Sequence, residues 1–461
     1  MTAGQPDPAA AEVLARLERI PVFRFHLRTA AILGSGTFLD SFDALAIAVT
    51  LPIIVTSFGL DANDIGWLIG AGYAGQLAGS ILFGWIADRA GRRPAVIGTF
   101  IVMGVFSLAA AVAWDPASLG VARILTGIGL GGEVPVAAAL FNEYVSARRR
   151  GLVTMAYESS FVWGFLVTPL TALALVTWLG PDTGWRAVFV LGGLSLVTAV
   201  VAARYLPESV RWLVRTGRTR DAANVVTAIE AEARQLGVGL TARAPKVEPD
   251  VTRSRWREPF EGAYRARTVL LWTIAFTDFF ATYGYAIWLP TLYVTIGGLD
   301  PAASLALTAL GGVLQLVAAY AFAGTVDRVG RRAWFLAGFG LASVAAAAGA
   351  VLTATGVTSW PTLFLVATGL LFGLTPVSMG LYLYAGELYP TRMRAWGTGL
   401  AAAWIRVAGF VAPVVVGAVL AAGAGIGMVF GLFAVMTAIG WTVVLALGPE
   451  TRQRVLEDLA D

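Results

Sequence analysis

The chain has 461 residues, of which 57% are hydrophobic and only 13% are charged, and its mean hydropathy is +0.73. Soluble domains carry about 25% charged residues, so this composition indicates a polytopic membrane protein. The absence of cysteine excludes disulfides and thiolate metal sites. The single histidine, His26, leaves little scope for a His-ligated metal site.

The N-terminal segment, residues 1–27, is polar and lacks the apolar stretch of a signal peptide. It is predicted to be cytoplasmic and partly an amphipathic helix. Beyond it, apolar stretches long enough to cross a hydrocarbon core of ~30 Å recur along the chain. They predict twelve transmembrane helices, at roughly 30–57, 64–87, 95–114, 118–142, 151–178, 186–206, 268–290, 303–326, 333–354, 361–388, 395–421 and 425–448.

The short loops between these helices alternate in charge. One set is rich in arginine, as at Arg89, Arg92 and Arg93, and the other in aspartate, as at Asp61 and Asp64. The positive-inside rule assigns the arginine-rich loops to the cytoplasm. We therefore expect both termini to be cytoplasmic, in a cell (inner or plasma) membrane. The basic pI of 9.5 then reflects topology and does not indicate nucleic-acid binding.

Three motifs occur twice, each pair separated by about 240 residues. The pairs are ADRAGRRP (87–94) with VDRVGRRA (326–333), NEYVSARRRG (142–151) with GELYPTRMRA (386–395), and LPESVRWL (206–213) with GPETRQRV (448–455). This repetition predicts two homologous six-helix bundles. Membrane proteins built from two such halves typically bind a substrate between them, near the bilayer midplane.

The repeat also defines the expected domain organisation. The predicted segments are an N-terminal segment (1–27), an N-terminal six-helix bundle (28–213), a cytoplasmic linker (214–266), a C-terminal six-helix bundle (267–450) and a cytoplasmic tail (451–461). Because each chain contains both halves of the cavity, we expect a monomer.

The run Gly84-x-x-x-Asp88-Arg89-x-Gly91-Arg92-Arg93 resembles the signature loop of the major facilitator superfamily, and the resemblance covers the chain from about residue 30 to 457. It implies an all-α polytopic membrane protein with twelve transmembrane helices in two pseudo-symmetric six-helix bundles. It also implies cytoplasmic charge networks that hold the halves together in the outward-open state. The expected gate residues are Gly84, Asp88, Arg89, Gly91, Arg92, Arg93, Glu143, Arg150, Asp327, Arg328, Arg331, Arg332, Glu387 and Arg394.

The second copy of this loop departs from the pattern. Ala323 stands where the first copy has Gly84, and Gly324 is shifted by one position. The sequence therefore does not predict whether the helices pack as closely around the second loop as around the first.

Ionisable side chains within predicted membrane helices are candidates for function. Asp40 and Asp43 share one face of the first helix, because positions i and i+3 do so. A rise of about 1.5 Å per residue places Asp43 near the depth of Arg123, and Asp40 near that of Glu133. We predict that Asp43 pairs with Arg123, and that Asp40 and Glu133 share a proton. These four residues are the predicted proton-coupling site.

Arg406 lies in the predicted eleventh helix, and a planar guanidinium suits a carboxylate. Aromatic side chains supply stacking faces and hydroxyl donors. The predicted substrate-binding residues are Arg406, Asp278, Tyr283, Tyr382, Tyr384, Trp163 and Glu158. Two interpretations of Arg406 stay open, namely binding of a substrate carboxylate and pairing with Asp278. Unpaired Asp278 and Glu158 would instead favour a cationic substrate.

The stretches DSFDALAIAVTLP (40–52) and RILTGIGLGGEVPVAAALFNEY (123–144) resemble the aromatic-acid/proton symporter and niacin-transporter branch, with Ser41 in place of the usual glycine. The resemblance implies a symporter of a small organic acid, such as a benzoate or nicotinate, driven by a proton gradient without a cofactor. An organic-cation or drug/proton antiporter is the alternative. A sugar porter, for which membrane-embedded glutamines are few, and a non-transporting sensor are less favoured. The expected partners are the bilayer, a small molecule and a proton.

Overall fold

A computed structural model describes residues 8–145, 150–240, 257–389 and 391–452; within these ranges the side chains of residues 150–156, 158, 263, 391, 392, 394–396 and 398 are not described. The α-helices of the described part are α1 (Pro8–Glu18), α2 (Arg24–Phe58), α3 (Ala62–Ala90), α4 (Arg92–Ala111), α5 (Pro116–Tyr144), α6 (Arg150–Leu179), α7 (Pro181–Gly192), α8 (Ser195–Tyr205), α9 (Val210–Arg215), α10 (Thr219–Gln235), α11 (Gly262–Ala286), α12 (Leu289–Thr295), α13 (Pro301–Val329), α14 (Arg331–Ala354), α15 (Trp360–Leu388), α16 (Thr391–Ala421) and α17 (Gly425–Leu447).

Eleven helical spans in the described residues are long and apolar enough to cross a membrane. The sixth of them joins α7 to α8 through a break at Gly193 and Leu194. Helix α11 is the twelfth span and is more polar, since it contains Asp278 and several threonines. The predicted architecture of twelve helices in two bundles is confirmed. An even number of spans places both ends of the chain on one side of the bundle, which we call the termini side.

Acidic caps begin three helices on the side opposite the termini. Asp61, Asp115 and Asp300 precede α3, α5 and α13, and each accepts hydrogen bonds from backbone N–H groups of its helix. The acceptor–donor distances are 2.8 Å to Asp64, 2.7 Å to Ser118, and 2.9 and 3.0 Å to Ala302 and Ala303. Such caps satisfy donors that have no partner within the helix. The aspartate-rich loops therefore also fix where these helices start.

Small residues allow α3 and α5 to pack backbone against backbone. A Cβ added at Gly79 would lie 2.0 Å from the carbonyl oxygen of Ile128, and one added at Gly131 would lie 1.9 Å from that of Gln76. The glycine-rich stretches of these helices thus serve close helix packing, as small residues do in membrane bundles.

The two halves meet along α3 with α16 and along α6 with α13. A Cβ at Gly417 would lie 2.5 Å from the carbonyl oxygen of Ala62, and the rings of Trp67 and Phe410 are 6.2 Å apart. These positions lie where α3 begins and α16 ends, on the side opposite the termini. The described contacts between α3 and α16 therefore close the space between the halves on that side.

On the termini side, α1 packs against α9 and α10 beneath the first bundle. Arg16 pairs with Glu230 at 2.7 Å, and Arg211 pairs with Glu18 at 2.6 Å. Apolar side chains of the three helices, including Leu17, are buried in one cluster. The first part of the predicted linker is therefore a docked helix.

Candidate transport site and charge networks

Asp43 and Arg123 form an ion pair inside the first bundle. Nη1 of Arg123 donates to Oδ2 of Asp43 at 2.5 Å, and the two residues are 3% and 1% exposed. The predicted pairing is therefore present in the structure. Its role in proton coupling stays a prediction.

Neighbouring helices hold this pair in place. The Ser107 hydroxyl on α4 lies 2.7 Å from Asp43 Oδ1 and 2.9 Å from the carbonyl oxygen of Phe189. The guanidinium of Arg123 lies over the ring of Phe189, 5.7 Å from its centroid. A Cβ at Gly192 would lie 3.1 Å from Asp43 Oδ1, so a small residue is needed where the sixth span breaks. A serine carries no charge, so the search for intramembrane ionisable residues missed Ser107.

Asp40 lies one helical turn from Asp43 and is 4% exposed. It accepts no hydrogen bond from the described residues, and the charges that act on it most strongly are those of Arg406 and Asp43. Next to it, the Ser41 hydroxyl donates to the carbonyl oxygen of Phe161 on α6 at 2.6 Å. Ser41, which stands where the aromatic-acid and niacin-transporter branch usually has glycine, is therefore hydrogen-bonded to a neighbouring helix.

Glu133 on α5 is fully buried and lies next to Thr37 on α2. The Thr37 hydroxyl is 3.1 Å from Glu133 Oε1 and 2.7 Å from the hydroxyl of Tyr157 on α6. Glu133 is thus held one turn of α2 away from Asp40. The predicted sharing of a proton between Asp40 and Glu133 stays a prediction.

Arg406 on α16 is 9% exposed and forms no ion pair with any carboxylate of the described side chains. The groups with which its charge interacts most strongly are Tyr382, Tyr283, Asp40 and Tyr73. The rings of Tyr73 and Tyr283 stack obliquely with their centroids 5.0 Å apart. A Cβ at Gly409 would lie 2.5 Å from the Tyr73 ring, so glycine there lets the ring lie against α16. Helices from both halves thus surround Arg406 with phenol groups, and sequence reasoning missed Tyr73.

Asp278 on α11 is held by hydroxyl groups of its own half. Ser378 donates to Asp278 Oδ2 at 2.7 Å, and Thr282 lies 3.5 Å from Oδ1. No ion pair joins it to Arg406 within the described residues. The structure therefore does not bear out the interpretation in which Arg406 pairs with Asp278.

The other four predicted substrate residues have different surroundings. The Tyr384 hydroxyl donates to the carbonyl oxygen of Pro449 at 2.6 Å and the residue is fully buried, so in this conformation it has a structural contact, and its contact with substrate stays a prediction. Trp163 donates to the Tyr320 hydroxyl at 3.2 Å, across the contact of α6 with α13. Tyr382 is 37% exposed beside Arg406. The side chain of Glu158 lies outside the described residues.

In the first half, a charge network at the termini side centres on Arg92. Nη1 of Arg92 donates to Asp88 at 2.8 Å, and Nε lies 3.6 Å from Glu143. Glu208 accepts the backbone N–H groups of Arg92 and Arg93 at 2.9 and 3.2 Å. The network joins the signature loop to the Pro-Glu motif that follows the sixth span.

The second half repeats this arrangement around Arg331. Arg331 pairs with Asp327 at 2.8 Å and binds Glu387 with two nitrogens, at 2.8 and 3.1 Å. Glu450 accepts the backbone N–H groups of Arg331 and Arg332 at 3.0 and 3.2 Å. All these described contacts stay within one half. The latch between halves expected for an outward-open state is therefore not formed by them in this conformation.

Glycine is required at the turn of each loop. Gly91 and Gly330 have φ angles of 114° and 102°, which side-chain-bearing residues rarely adopt. A Cβ added at Gly91 would also lie 2.1 Å from the carboxylate of Glu208, and one added at Gly330 would lie 2.4 Å from that of Glu450. The repeated Pro-Glu in LPES and GPET was the signal for these two glutamates, which the predicted gate omitted.

The remaining gate residues have varied surroundings. Arg89 lies over the Trp85 ring at 4.4 Å, Arg93 donates to Ala203 O, Arg332 donates to Leu445 O at 2.9 Å, and the Arg328 carbonyl accepts from Arg452. A Cβ at Gly84 would meet nothing within 4 Å, and neither would one at Gly324. Ala323, at the position equivalent to Gly84, is itself exposed, so its methyl group is not held in close helix packing in this conformation. The side chains of Arg150 and Arg394 lie outside the described residues.

Comparison with characterised proteins gives relatives along nearly the whole chain. It is 30% identical to the niacin transporter NiaP of Acinetobacter baylyi over 454 residues, covering 97% of this chain and 99% of that protein. It is 31% identical to the 4-hydroxybenzoate transporter PcaK of the same organism, covering 82% of this chain and 81% of that protein.

Solved structures share the fold. A proton:xylose symporter, XylE, bound to 6-bromo-6-deoxy-D-glucose, superposes with a TM-score of 0.71 at 18% identity, covering 94% of this chain and 98% of that one. The model of the Major Facilitator Superfamily matches residues 33–413. The chain is therefore a multi-pass membrane transporter and not an enzyme, and it belongs to the Major Facilitator Superfamily.

Proposed function

We propose that this transporter carries a small aromatic carboxylate, such as a benzoate or nicotinate, together with a proton. The observation that carries the proposal is the buried Arg406, which forms no ion pair with a described carboxylate and lies among tyrosines. A buried charge without a partner is costly. A substrate carboxylate can offset that cost by binding the guanidinium through two hydrogen bonds.

The surroundings of Arg406 favour an aromatic acid over an aliphatic one. Tyr73 and Tyr283, from opposite halves of the protein, pack against each other beside Arg406, and an aromatic substrate can extend this contact because offset or edge-on stacking of rings is favourable. The names of the relatives, which refer to niacin and to 4-hydroxybenzoate, support the same class of substrate.

The coupling part of the proposal rests on two carboxylates with different partners. Asp43 is compensated by Arg123, whereas the positive charge that acts most strongly on Asp40 is that of Arg406. Because a proton on Asp40 removes the negative charge beside Arg406, protonation favours binding of a substrate carboxylate at the same place. One proton then accompanies one monocarboxylate, and the transported pair is neutral. The proton gradient supplies the energy and no cofactor takes part.

We further propose that the termini side is cytoplasmic, as the arginine-rich loops indicate, and that the monomer is the transporting unit. The contacts between α3 and α16 lie on the opposite, outer side. Export of a cation in exchange for protons is the competing function, and the experiment below distinguishes it.

The test is uptake of labelled 4-hydroxybenzoate and nicotinate into proteoliposomes with an acidic exterior. We expect accumulation that disappears when a protonophore collapses the pH gradient. Because the co-transported pair is neutral, an imposed membrane potential alone should not drive uptake. Transport confined to organic cations or sugars would overturn the proposal.

Arg406→Ala is expected to abolish carboxylate binding, and Arg406→Lys to weaken it, because lysine cannot form the two parallel hydrogen bonds. Arg204→Ala is the matched control. Arg204 lies in the last turn of α8, at the termini side of the first half and over the Tyr205 ring, whereas Arg406 lies inside α16 of the second half. Binding that survives Arg406→Ala undiminished would reject the anion site.

A further inference from the structure

Three buried oxygen atoms form a continuous chain on the termini side of Asp40. The Thr37 hydroxyl lies 2.7 Å from the Tyr157 hydroxyl and 3.1 Å from Glu133 Oε1. Thr37 and Glu133 are 0% exposed and Tyr157 is 2% exposed. Three different helices, α2, α5 and α6, supply the three groups.

Two glycines of α2 make this approach possible. A Cβ at Gly36 would lie 2.2 Å from the Phe100 ring and 3.1 Å from Glu133 Oε1. A Cβ at Gly34 would lie 2.8 Å from Ser160 Oγ. The absence of side chains at Gly34 and Gly36 therefore lets α6 and α5 approach α2 on either side of Thr37.

The position of the chain suits the release of a proton inward. Thr37 precedes Asp40 by three residues and shares its face of α2. Because α2 begins at the termini side, Thr37 lies nearer to that side than Asp40 does. Tyr157 lies seven residues after the start of α6 at Arg150, and α6 also begins at the termini side.

We propose that the coupled proton, which we predict Asp40 and Glu133 share, leaves from Glu133 and is relayed by Thr37 to Tyr157 and so toward the cytoplasmic side; this rests on the proposed proton-coupled function. A hydroxyl group can both accept and donate a proton. The Thr37 hydroxyl also has the carbonyl oxygen of Leu33 within 3.3 Å, so it has a third acceptor to which it can turn between steps.

The step is balanced at every atom. The O–H bond of protonated Glu133 breaks as its proton moves to Thr37 Oγ1, while Thr37 gives its own proton to the Tyr157 oxygen. Tyr157 at the same time gives its phenolic proton to water on the termini side. Thr37 and Tyr157 each gain one proton and lose one, so neither becomes charged. Glu133 is left as a carboxylate, and the hydroxyl hydrogens of Thr37 and Tyr157 then turn back to their starting directions.

The experiment compares net uptake with exchange in proteoliposomes. Net uptake of labelled 4-hydroxybenzoate requires release of the coupled proton inside, whereas exchange at equal pH on both sides does not. Thr37→Val removes only the hydroxyl and is expected to slow net uptake and proton flux by about tenfold or more, since a positioned proton-transfer group contributes 10²–10⁴-fold in typical cases. Exchange should stay within about twofold of wild type, and Thr37→Ser, which keeps the hydroxyl, should restore net uptake.

Thr50→Val is the matched control. Thr50 is on the same helix and fully buried, but its hydroxyl is directed to carbonyl oxygens of its own helix, at 2.6 Å to Ala46. It should leave both rates unchanged. Thr37→Val with wild-type net uptake and proton flux would reject the relay, and so would equal loss of net uptake and exchange in a folded variant.

A second readout needs no substrate. Infrared absorption of the protonated Glu133 carboxyl, identified by its loss in Glu133→Gln, should shift in Thr37→Val and not in Thr50→Val. An unshifted band contradicts the relay. A wild-type protein that exchanges no aromatic acid, with the band shift present, would reject the proposed substrate and leave the Thr37–Glu133 contact established.

Discussion

Arg123 holds Asp43 at 2.5 Å in a place where both side chains are almost completely removed from solvent. Their charges compensate each other, and Ser107 satisfies the second carboxylate oxygen at 2.7 Å. Asp40, one turn away, has no such compensation from the described side chains of the first half. The first membrane helix therefore presents one neutralised carboxylate and one whose charge acts on Arg406, across the division between the halves.

Removing one member of the Asp43–Arg123 pair is expected to be costly. Arg123→Ala leaves a buried carboxylate alone, which destabilises a protein by about 3–5 kcal/mol. The double variant Arg123→Ala/Asp43→Asn removes both charges and should recover most of that stability. Thermal unfolding in detergent checks this prediction. The unfolding temperature should be highest for the wild type, lower for the double variant and lowest for Arg123→Ala. A double variant as unstable as the single one would mean that packing, and not charge, dominates.

The two charge networks are expected to differ in strength. Glu387 receives two hydrogen bonds from Arg331, whereas Nε of Arg92 is 3.6 Å from Glu143. Each glutamate also accepts from the hydroxyl that follows its Pro-Glu motif, Thr451 or Ser209, so the two networks differ in the arginine contact. Charge-assisted hydrogen bonds contribute about 1.5–3 kcal/mol each. We therefore expect Glu387→Gln to lower the unfolding temperature more than Glu143→Gln does. Equal shifts would show that the difference in distance has no energetic consequence.

Ser41 is expected to contribute to stability rather than to transport. Ser41→Ala removes the hydrogen bond to the Phe161 carbonyl oxygen, which is worth about 0.5–1.5 kcal/mol. Ser35→Ala is the control, because the Ser35 hydroxyl bonds to the carbonyl of Ile32 in its own helix. Unfolding temperature should fall only for Ser41→Ala, with uptake retained in both variants. Loss of uptake at full stability would instead place Ser41 in the transport site.

Docking of α1 onto α10 is expected to weaken in acid. The hydrogen bond from Arg16, together with its charge, lowers the pKa of Glu230 below its ordinary value of 4.5. The pair's contribution is thus fully present above pH 4.5 and is lost as the pH falls through the folded-state pKa. The native chain has no cysteine, so spin labels at Ala11→Cys and Ala228→Cys report the distance between the helices. The distance should lengthen below pH 4.5, and in Glu230→Gln it should not depend on pH over that range.

Tyr382 and Tyr384 are expected to act differently despite their spacing. Tyr382→Phe should raise the KM for 4-hydroxybenzoate, because its phenol lies beside Arg406. Tyr384→Phe should leave KM unchanged and lower stability, since it loses the hydrogen bond to Pro449. Transport kinetics and thermal unfolding of both variants separate the two roles. A raised KM in Tyr384→Phe together with an unchanged KM in Tyr382→Phe would contradict the placement of these residues.

The repeated motifs and the alternation of loop charge were enough to predict the fold, and helix periodicity with depth in the membrane was enough to predict the Asp43–Arg123 pair. Both follow from local rules, namely hydrophobic length, loop charge, helix periodicity and depth in the membrane. The partners of Asp40 and Asp278 did not follow from those rules. They depend on how α16 crosses α3 and on which face of α15 meets α11, and depth alone does not specify either.

The sequence analysis also did not predict the uncharged residues of the site. Ser107, Tyr73 and Thr37 complete the surroundings of Asp43, Arg406 and Glu133, yet none of them stands out in an apolar helix. Gly36 and Gly409 give the reason for two of these contacts, since both are places where a side chain would prevent the approach. A membrane helix contains many glycines, and their sequence spacing does not show which of them faces a functional group.

The central claim is that protonation of Asp40 and binding of a carboxylate at Arg406 are linked. The most direct measurement is the affinity of purified protein for 4-hydroxybenzoate across pH, in wild type and in Asp40→Asn. The account predicts that wild-type affinity rises as the pH falls, and that Asp40→Asn binds with the high affinity at every pH while losing gradient-driven accumulation. The same pH dependence in both proteins, or accumulation retained by Asp40→Asn, would contradict it.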